Sequence, residues 1–262
     1  MKNDSWNPDQ YEKFKKERSQ PFYDLVDLLE KVDSPNTIDL GCGTGEMTRY
    51  FHEKIQAQST LGLDSSEAML KKAEAQKTKG LHFQKKRMEE FKDESEYDIL
   101  ISNAALHWCE NHKELISQFR RALKANGQLV IQMPVNHDYP THQVAYQLAR
   151  SSKWSQFFRG KTLENSAQIL KPEEYAKLLY ELGFANQKVF TRVYAHILPS
   201  RDDVVEWVQG SLLTQYQGLL APDQFQQFLI EYKSELLLQL PDEKPFFYPF
   251  KRLFLWGKLG AS

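Results

Sequence analysis

The run Ile38-Asp39-Leu40-Gly41-Cys42-Gly43-Thr44-Gly45 constrains this chain more than any other stretch. A short apolar segment leads into three glycines spaced G-x-G-x-G. Nineteen residues beyond the last of them stands Asp64, at the end of Thr60-Leu61-Gly62-Leu63. The pattern predicts a strand, a tight glycine turn, a helix, a second strand and then a carboxylate. Glycine lets the backbone approach a ligand closely, and an acid in that place accepts hydrogen bonds from ribose hydroxyls. The motif therefore points to a nucleoside-bearing cofactor.

Hydrophobic spacing extends the pattern on both sides. Strands are expected over 37–40, 60–63, 81–84, 97–101 and 129–133. Helices are expected over 46–54 and 66–75, the latter capped by Ser65 or Ser66 with Met69 inward. A further helix carries Leu115, Ile116, Phe119, Ala122 and Leu123, and Gly127 closes it. Strands alternating with helices imply an α/β fold: a doubly wound, mostly parallel sheet with helices on both faces. Beyond Pro134 the rhythm changes, with helices over 143–152 and 172–182 and a strand over 189–198. An aromatic-rich insertion follows over 204–213 and 222–240. In its second segment Phe225, Phe228, Leu229, Tyr232 and Leu236 share a helical face. A last strand covers 252–258. At the start, Asn7-Pro8-Asp9-Gln10 opens a helix through Glu17. A second helix covers 21–32, and Asp33-Ser34-Pro35-Asn36 breaks the chain. The expected organisation is an N-terminal helical lid over 1–35, a cofactor-binding core over 36–198, a helical cap insertion over 199–248 and the last core strand over 249–262.

The 262 residues carry a formal net charge of −1, which gives no global attraction to nucleic acid or to an anionic membrane. The basic run Lys85-Lys86-Arg87 reads as a solvated loop. Cys42 and Cys109, the two cysteines, lack C-x-x-C partners, so neither a metal site nor a disulfide framework is expected. Residues 1–7 are polar rather than an apolar signal segment. No run approaches the roughly 18–20 apolar residues of a membrane span. The expectation is a cytoplasmic monomer or weak dimer with no nucleic-acid or membrane partner.

Three nucleotide readings compete. The phosphate-binding string G-x-x-x-x-G-K-[ST] is absent. The dinucleotide string G-x-G-x-x-G places its third glycine one residue later than this chain does. The third reading is S-adenosyl-L-methionine, which carries no phosphate. The string D-L-G-C-G-T-G, with Asp64 after the second strand and Ser102-Asn103 after the fourth, resembles class I methyltransferases. That resemblance implies a seven-stranded Rossmann-like sheet with a helical cap. It also implies roles. Asp39 and the turn Gly41, Cys42, Gly43 and Gly45 line the methionine end of the cofactor. Asp64 takes the ribose hydroxyls, and Ser65 and Met69 follow it in the same cofactor-binding set. Arg87 stands where the family has an acid for the adenine amino group. This departure leaves adenine to the Met88 backbone amide and apolar contact. Asn103 sits near the methyl donor, and Trp6 and Tyr11 close over the cofactor as a lid. Against these stand plainer readings: Asp64 as the cap of the next helix, Asn103 as a turn residue, Trp6 and Tyr11 as helix packing.

Finer resemblance is to the trans-aconitate methyltransferases. It lies in Trp6-Asn7-Pro8-Asp9-Gln10-Tyr11, in Ser102-Asn103-Ala104-Ala105-Leu106-His107-Trp108 and in Gln132-Met133-Pro134-Val135-Asn136 with His142. It continues in Val205-Glu206-Trp207-Val208-Gln209-Gly210 and Pro249-Phe250-Lys251-Arg252-Leu253-Phe254. That family methylates a carboxylate of a small polyacid. Trp108-Cys109 is also similar to the malonyl carrier-protein methyltransferase of biotin synthesis. A carboxylate is ionised at pH 7, since free Asp and Glu titrate near ~4, and needs no general base. The work of such a site is alignment and exclusion of water. The substrate-side candidates are Arg252 as a carboxylate clamp, with His107, Trp108, Tyr248 and Trp207, and His137 further back. His107 as a base would suit a carbon acceptor instead. An aromatic cap would also suit a fatty or terpenoid acid, and a module that binds the cofactor without turnover is the third class.

Overall fold

The computed structural model describes residues 15–159 and 169–260. Its seven strands, β1 (Asn36–Leu40), β2 (Ser59–Asp64), β3 (Leu81–Lys85), β4 (Tyr97–Asn103), β5 (Leu123–Pro134), β6 (Phe184–Leu198) and β7 (Phe246–Leu259), form one sheet in the order β3-β2-β1-β4-β5-β7-β6. The first five strands are parallel, and β7 runs antiparallel to β5, from Gln128 opposite Lys258 to Pro134 opposite Arg252. This is the expected doubly wound α/β architecture.

The elements form for recognisable reasons. Strand β1 (Asn36–Leu40) lies between β2 (Ser59–Asp64) and β4 (Tyr97–Asn103), and from Thr37 to Leu40 every residue is buried. A strand covered on both faces reads as a continuous apolar run, and Asp39 is its one charged interruption. Helix α2 (Glu46–Lys54) starts directly after Gly45 and buries Thr48, Phe51 and His52. Helix α3 (Glu67–Ala73) is capped by Ser66, whose Oγ accepts from the Met69 amide at 3.2 Å, and leads toward β3 (Leu81–Lys85). Helix α4 (His112–Ala122) packs Leu115, Ile116 and Phe119, and β5 (Leu123–Pro134) follows it without a gap.

The chain forms two compact units. One holds residues 18–134, 169–192 and 252–260, with the cofactor motif, the parallel strands and α6 (Pro172–Glu181). The other holds 15–17, 135–159 and 193–251, with α5 (Pro140–Arg150), α7 (Asp202–Gln209), α8 (Thr214–Gln217) and α9 (Pro222–Gln239). Strands β6 (Phe184–Leu198) and β7 (Phe246–Leu259) contribute residues to both. The second unit has its own core, in which Trp154, Trp207, Tyr216, Phe228 and Tyr232 are almost wholly buried. Tyr232 Oη donates to the Thr141 carbonyl at 3.0 Å, and Trp154 Nε1 to Glu231 at 2.7 Å. Aromatic residues that bury a polar tip need such partners.

Three expectations are corrected. Helix α1 (Lys15–Val26) is continuous where a break before Pro21 was expected, and it stops before Leu28. Phe22, Leu25 and Val26 are at most 4% exposed, so their burial outweighs the hydrogen bond that Pro21 cannot make. Gly127 does not close a helix. The helix ends at Ala122 and Gly127 lies inside β5, where the pairing with β4 jumps from Tyr97 opposite Leu123 to Ile99 opposite Gln128. Asn126, at φ 59°, turns the chain through that irregularity. The last two strands also begin earlier than expected, so Tyr248 belongs to β7.

Candidate active site

The glycine turn is braced at its ends and open in its middle. Gly41, Gly43 and Gly45 adopt φ values of 84°, 56° and 76°, the left-handed region that favours glycine. A Cβ on Gly41 would lie 2.2 Å from Ala105 Cβ, and one on Gly45 would lie 2.7 Å from the Phe83 ring. Among the described residues a Cβ on Gly43 would meet nothing within 4 Å. The first and last glycines thus let neighbouring elements close in, while Gly43 faces space that a ligand can fill.

Backbone amides tie this turn to β2. Gly41 and Cys42 donate to the Leu63 carbonyl at 2.8 and 3.0 Å. Gly43 donates to Asp64 Oδ2 at 2.8 Å, and Ser66 donates to Oδ1 at 2.8 Å. Asp64 therefore fixes both the turn and the start of α3. Ser65 is exposed and Met69 is buried on α3. Met88 opens a 3-10 turn (Met88–Glu90), and its Cε lies 3.9 Å from the position of a Gly41 Cβ. Arg87 is exposed and turned to Glu89 at 3.1 Å.

Asp39 is 3% exposed and accepts from Thr48 Oγ1 at 2.7 Å. Burial pushes its carboxyl up to about 7; the Thr48 bond opposes this and the Asp64 charge adds to it. A cation placed here would draw it back down. Burial and the same two carboxylates push the Cys42 thiol up, and burial pushes Cys109 up to about 12. Neither thiol supplies a thiolate nucleophile near neutral pH.

At the carboxyl end of β4, Ser102 Oγ donates to the Leu40 carbonyl at 2.8 Å. Ala104, at φ 49°, then turns the chain into a 3-10 segment (Leu106–Trp108), where the His107 and Trp108 rings lie 4.7 Å apart. The pairings Asp39–Ile101, Ile101–Val130, Asn103–Gln132, Gln132–Phe254 and Pro134–Arg252 fix which side chains share a face. Side chains alternate along a strand, so Asp39, Asn103, Gln132 and Arg252 stand on one face of the sheet. Arg252 is 8% exposed and Gln132 is 1% exposed. Asn103 Oδ1 and both amide atoms of Gln132 are buried without a hydrogen-bond partner among the described residues. Leaving a buried polar group unsatisfied costs about 1–3 kcal/mol. A ligand that binds these atoms would recover that cost.

The site residues expected from sequence thus divide. Asp39, the glycine turn, Asp64, Met88, Asn103, His107, Trp108 and Arg252 belong to the unit that holds the parallel strands. Trp207 and Tyr248 belong to the other, 1% and 3% exposed, with ring centroids 5.9 Å apart. His137 is exposed there. Trp6 and Tyr11 lie outside the described residues. Gln132 received no role from its sequence position; its signal was a polar residue inside the buried run Leu129 to Met133. Among the described residues no three His, Cys, Asp or Glu side chains cluster to hold a metal, and no helix is long and apolar enough to cross a membrane.

Space beside Gly43, two carboxylates and an unpartnered Asn103 acceptor suit a ligand with a ribose, an ammonium and a second cationic centre. S-adenosylmethionine has these groups, and the residues fit it. A methyltransferase-domain family model matches residues 38–131. Over 251 residues the chain is 36% identical to the trans-aconitate 2-methyltransferase of Deinococcus radiodurans, covering 95% of this chain and 96% of that one. It is 30% identical to the Mycobacterium tuberculosis enzyme of the same name over 263 residues, covering 98% of each. Two solved structures show the same fold. The YcgJ protein of Bacillus subtilis aligns with a TM-score of 0.59 at 13% identity, covering 92% of this chain and 99% of that one. The phosphoethanolamine N-methyltransferase 2 of Haemonchus contortus, in complex with S-adenosyl-L-methionine, aligns at 0.55 with 15% identity, covering 93% and 53%. With the glycine turn, the acid ending β2 and the seven-stranded sheet all in place, the chain belongs to the trans-aconitate 2-methyltransferase family of class I S-adenosylmethionine-dependent methyltransferases.

Proposed function

We propose that this protein methylates a carboxylate of a small polyacid, with trans-aconitate the first acceptor to test. The observation that carries the reading is the buried polar row at the carboxyl ends of β4 and β5, flanked on the same face by the Arg252 guanidinium. A cation there suits an acceptor with more than one anionic group. The relatives' name supports the same substrate class.

Asp39, Gly41, Cys42, Gly43, Gly45, Asp64, Ser65, Met69, Met88 and Asn103 would hold the cofactor, which supplies an activated methyl group. The remaining work falls to the chain. Asp64, already fixed by the Gly43 and Ser66 amides, would accept the ribose hydroxyls without needing to be ordered on binding. Asn103 Oδ1 would accept from the ligand's ammonium. Arg252 would grip a carboxylate that does not react, in the two-pronged geometry that guanidinium favours. The reacting carboxylate is already ionised, so His107 need move no proton; with Trp108 it would wall the site against water and fix the approach. Preorganised groups of this kind lower the barrier by alignment. The reading gives Trp207 and Tyr248 a packing role. Their aromatic cluster buries its rings on one another, which gives an apolar acid no particular support.

Transfer from methyl-labelled S-adenosylmethionine, tested on a panel of polycarboxylates and medium-chain acids, decides the matter. A base-labile labelled product from trans-aconitate or a similar polyacid is expected. Turnover confined to medium-chain acids, or none on any acid while cofactor still binds, would sink the polyacid reading.

A further inference from the structure

We propose that Gln132 binds the methyl acceptor, its carboxamide hydrogen-bonding an acceptor oxygen on the β5 side of the reacting centre. This deepens the polyacid reading above and rests on it.

The argument begins with an internal control. Gln128 and Gln132 lie on the same strand and the same face, and both are at most 1% exposed. Gln128 is fully used by the fold: Oε1 accepts from the Glu30 amide at 2.8 Å and from Trp256 Nε1 at 3.0 Å, and Nε2 donates to the Glu30 carbonyl at 2.9 Å. Gln132 makes none of the corresponding bonds; among the described residues neither Nε2 nor Oε1 has a partner. Buried side-chain amides are satisfied in most proteins, and this protein satisfies one four residues away along the same strand. The difference lies in position. Gln128 faces the amino end of the sheet, and Gln132 the carboxyl end, where ligands of open α/β sheets bind.

Strand order then selects the ligand. The glycine turn follows β1 and Asp64 ends β2, while β4 lies on the other side of β1 and β5 lies beyond β4. Neighbouring strands are about 4.8 Å apart. Asn103, on β4, is next to the cofactor strands; Gln132, directly opposite Asn103 on β5, is one strand farther from Asp64. A carboxamide there is past the cofactor's anchors and on the side that an acceptor must occupy. Arg252, which pairs with Pro134, stands on the same face. Together they offer a neutral donor and a cation, a set that distinguishes the oxygens of a polyacid.

The test uses Gln132→Leu, with Gln132→Met as a near-isosteric second variant should the first fail to fold. Trans-aconitate is titrated calorimetrically into protein saturated with S-adenosylhomocysteine, and methyl transfer is measured in parallel. The expected result is S-adenosylhomocysteine affinity within twofold of the parent and trans-aconitate Kd and KM raised at least tenfold. Unchanged trans-aconitate affinity overturns the proposal, as does a loss confined to S-adenosylhomocysteine. Parent protein that binds S-adenosylhomocysteine but not trans-aconitate marks failure of the polyacid reading itself, and the Gln132 role falls with it.

Discussion

The two ends of the parallel sheet treat polar groups in opposite ways. At the amino end they are consumed by the scaffold. Gln128 is bonded to Glu30 and Trp256, Thr37 Oγ1 pairs with Thr60 Oγ1 at 2.8 Å, and His52 bridges Thr60 and the Lys79 carbonyl at 2.8 and 3.2 Å. At the carboxyl end, among the described residues, Asn103 Oδ1 and the Gln132 amide have no partners, nothing stands within 4 Å of a Cβ on Gly43, and Asp39 holds a carboxyl shifted by burial. Polar atoms cost the same to bury at either end. The amino end recovers that cost on folding; at the carboxyl end Asn103 Oδ1 and the Gln132 amide recover it only when ligands bind. A site can be recognised in this way without knowing its ligand.

The largest expected effect separates the braced and open positions of the glycine turn. Gly41→Val should lower stability by about 3–5 kcal/mol, combining strain at positive φ with overlap on Ala105. Gly43→Ala should cost only about 1–2 kcal/mol of stability, yet weaken S-adenosylmethionine binding at least tenfold. Urea unfolding and calorimetric titration of both variants check the contrast, and equal losses of stability would break it.

Gln128→Leu should come next, lowering stability by about 2–4 kcal/mol because the Glu30 backbone and the Trp256 indole lose their partners. Its effect on methyl transfer should be small. A variant as stable as the parent would show that the amino-end network is dispensable.

Asp64→Ala should raise the S-adenosylmethionine Kd on the order of ten- to a hundredfold, the range for losing charge-assisted hydrogen bonds. Fluorescence or calorimetric titration checks it. An unchanged Kd would leave Asp64 a structural role, bracing the turn and α3 through the Gly43 and Ser66 amides.

The smallest effect concerns Asp39. Its carboxyl is raised from an ordinary value of 3.8 to about 7, chiefly by burial. The folded state therefore holds a proton that the unfolded state has released, and stability should fall as pH climbs from about 4 to 7. Asp39→Asn should flatten that slope. A cationic ligand favours the ionised form, so cofactor binding near pH 6 should release up to about one proton. Calorimetry in buffers of different ionisation enthalpy measures the release, and proton uptake at that pH would contradict the assignment.

How far the sequence was readable follows from the same physics. The glycine turn could be read because only glycine meets its requirements: Gly41 and Gly45 combine left-handed φ with contacts that exclude a side chain. The strands around it could be read from apolar runs at a regular rhythm. Helix α1 misled because Pro21 is a strong local stop signal, and only the tertiary burial of Phe22 and Leu25 overrides it. Gly127 was a turn signal with the wrong owner, since with Asn126 it marks an irregularity inside β5 and not a helix end. Gln132 could not be assigned a role from one chain, because Gln128 gives the same local signal. Their places along the strand and their hydrogen-bond partners tell the two apart.

Thermal melting of the parent, Gln128→Leu and Gln132→Leu, alone and with S-adenosylhomocysteine plus trans-aconitate, tests that distinction most directly. The account predicts that Gln128→Leu melts lower but keeps the parent's full ligand-induced rise in Tm. It predicts that Gln132→Leu melts at or above the parent without ligand and loses the part of the rise due to the acid. If Gln132→Leu melted lower than the parent and kept the whole rise, Gln132 would belong to the scaffold, and the contrast between the two ends of the sheet would not hold.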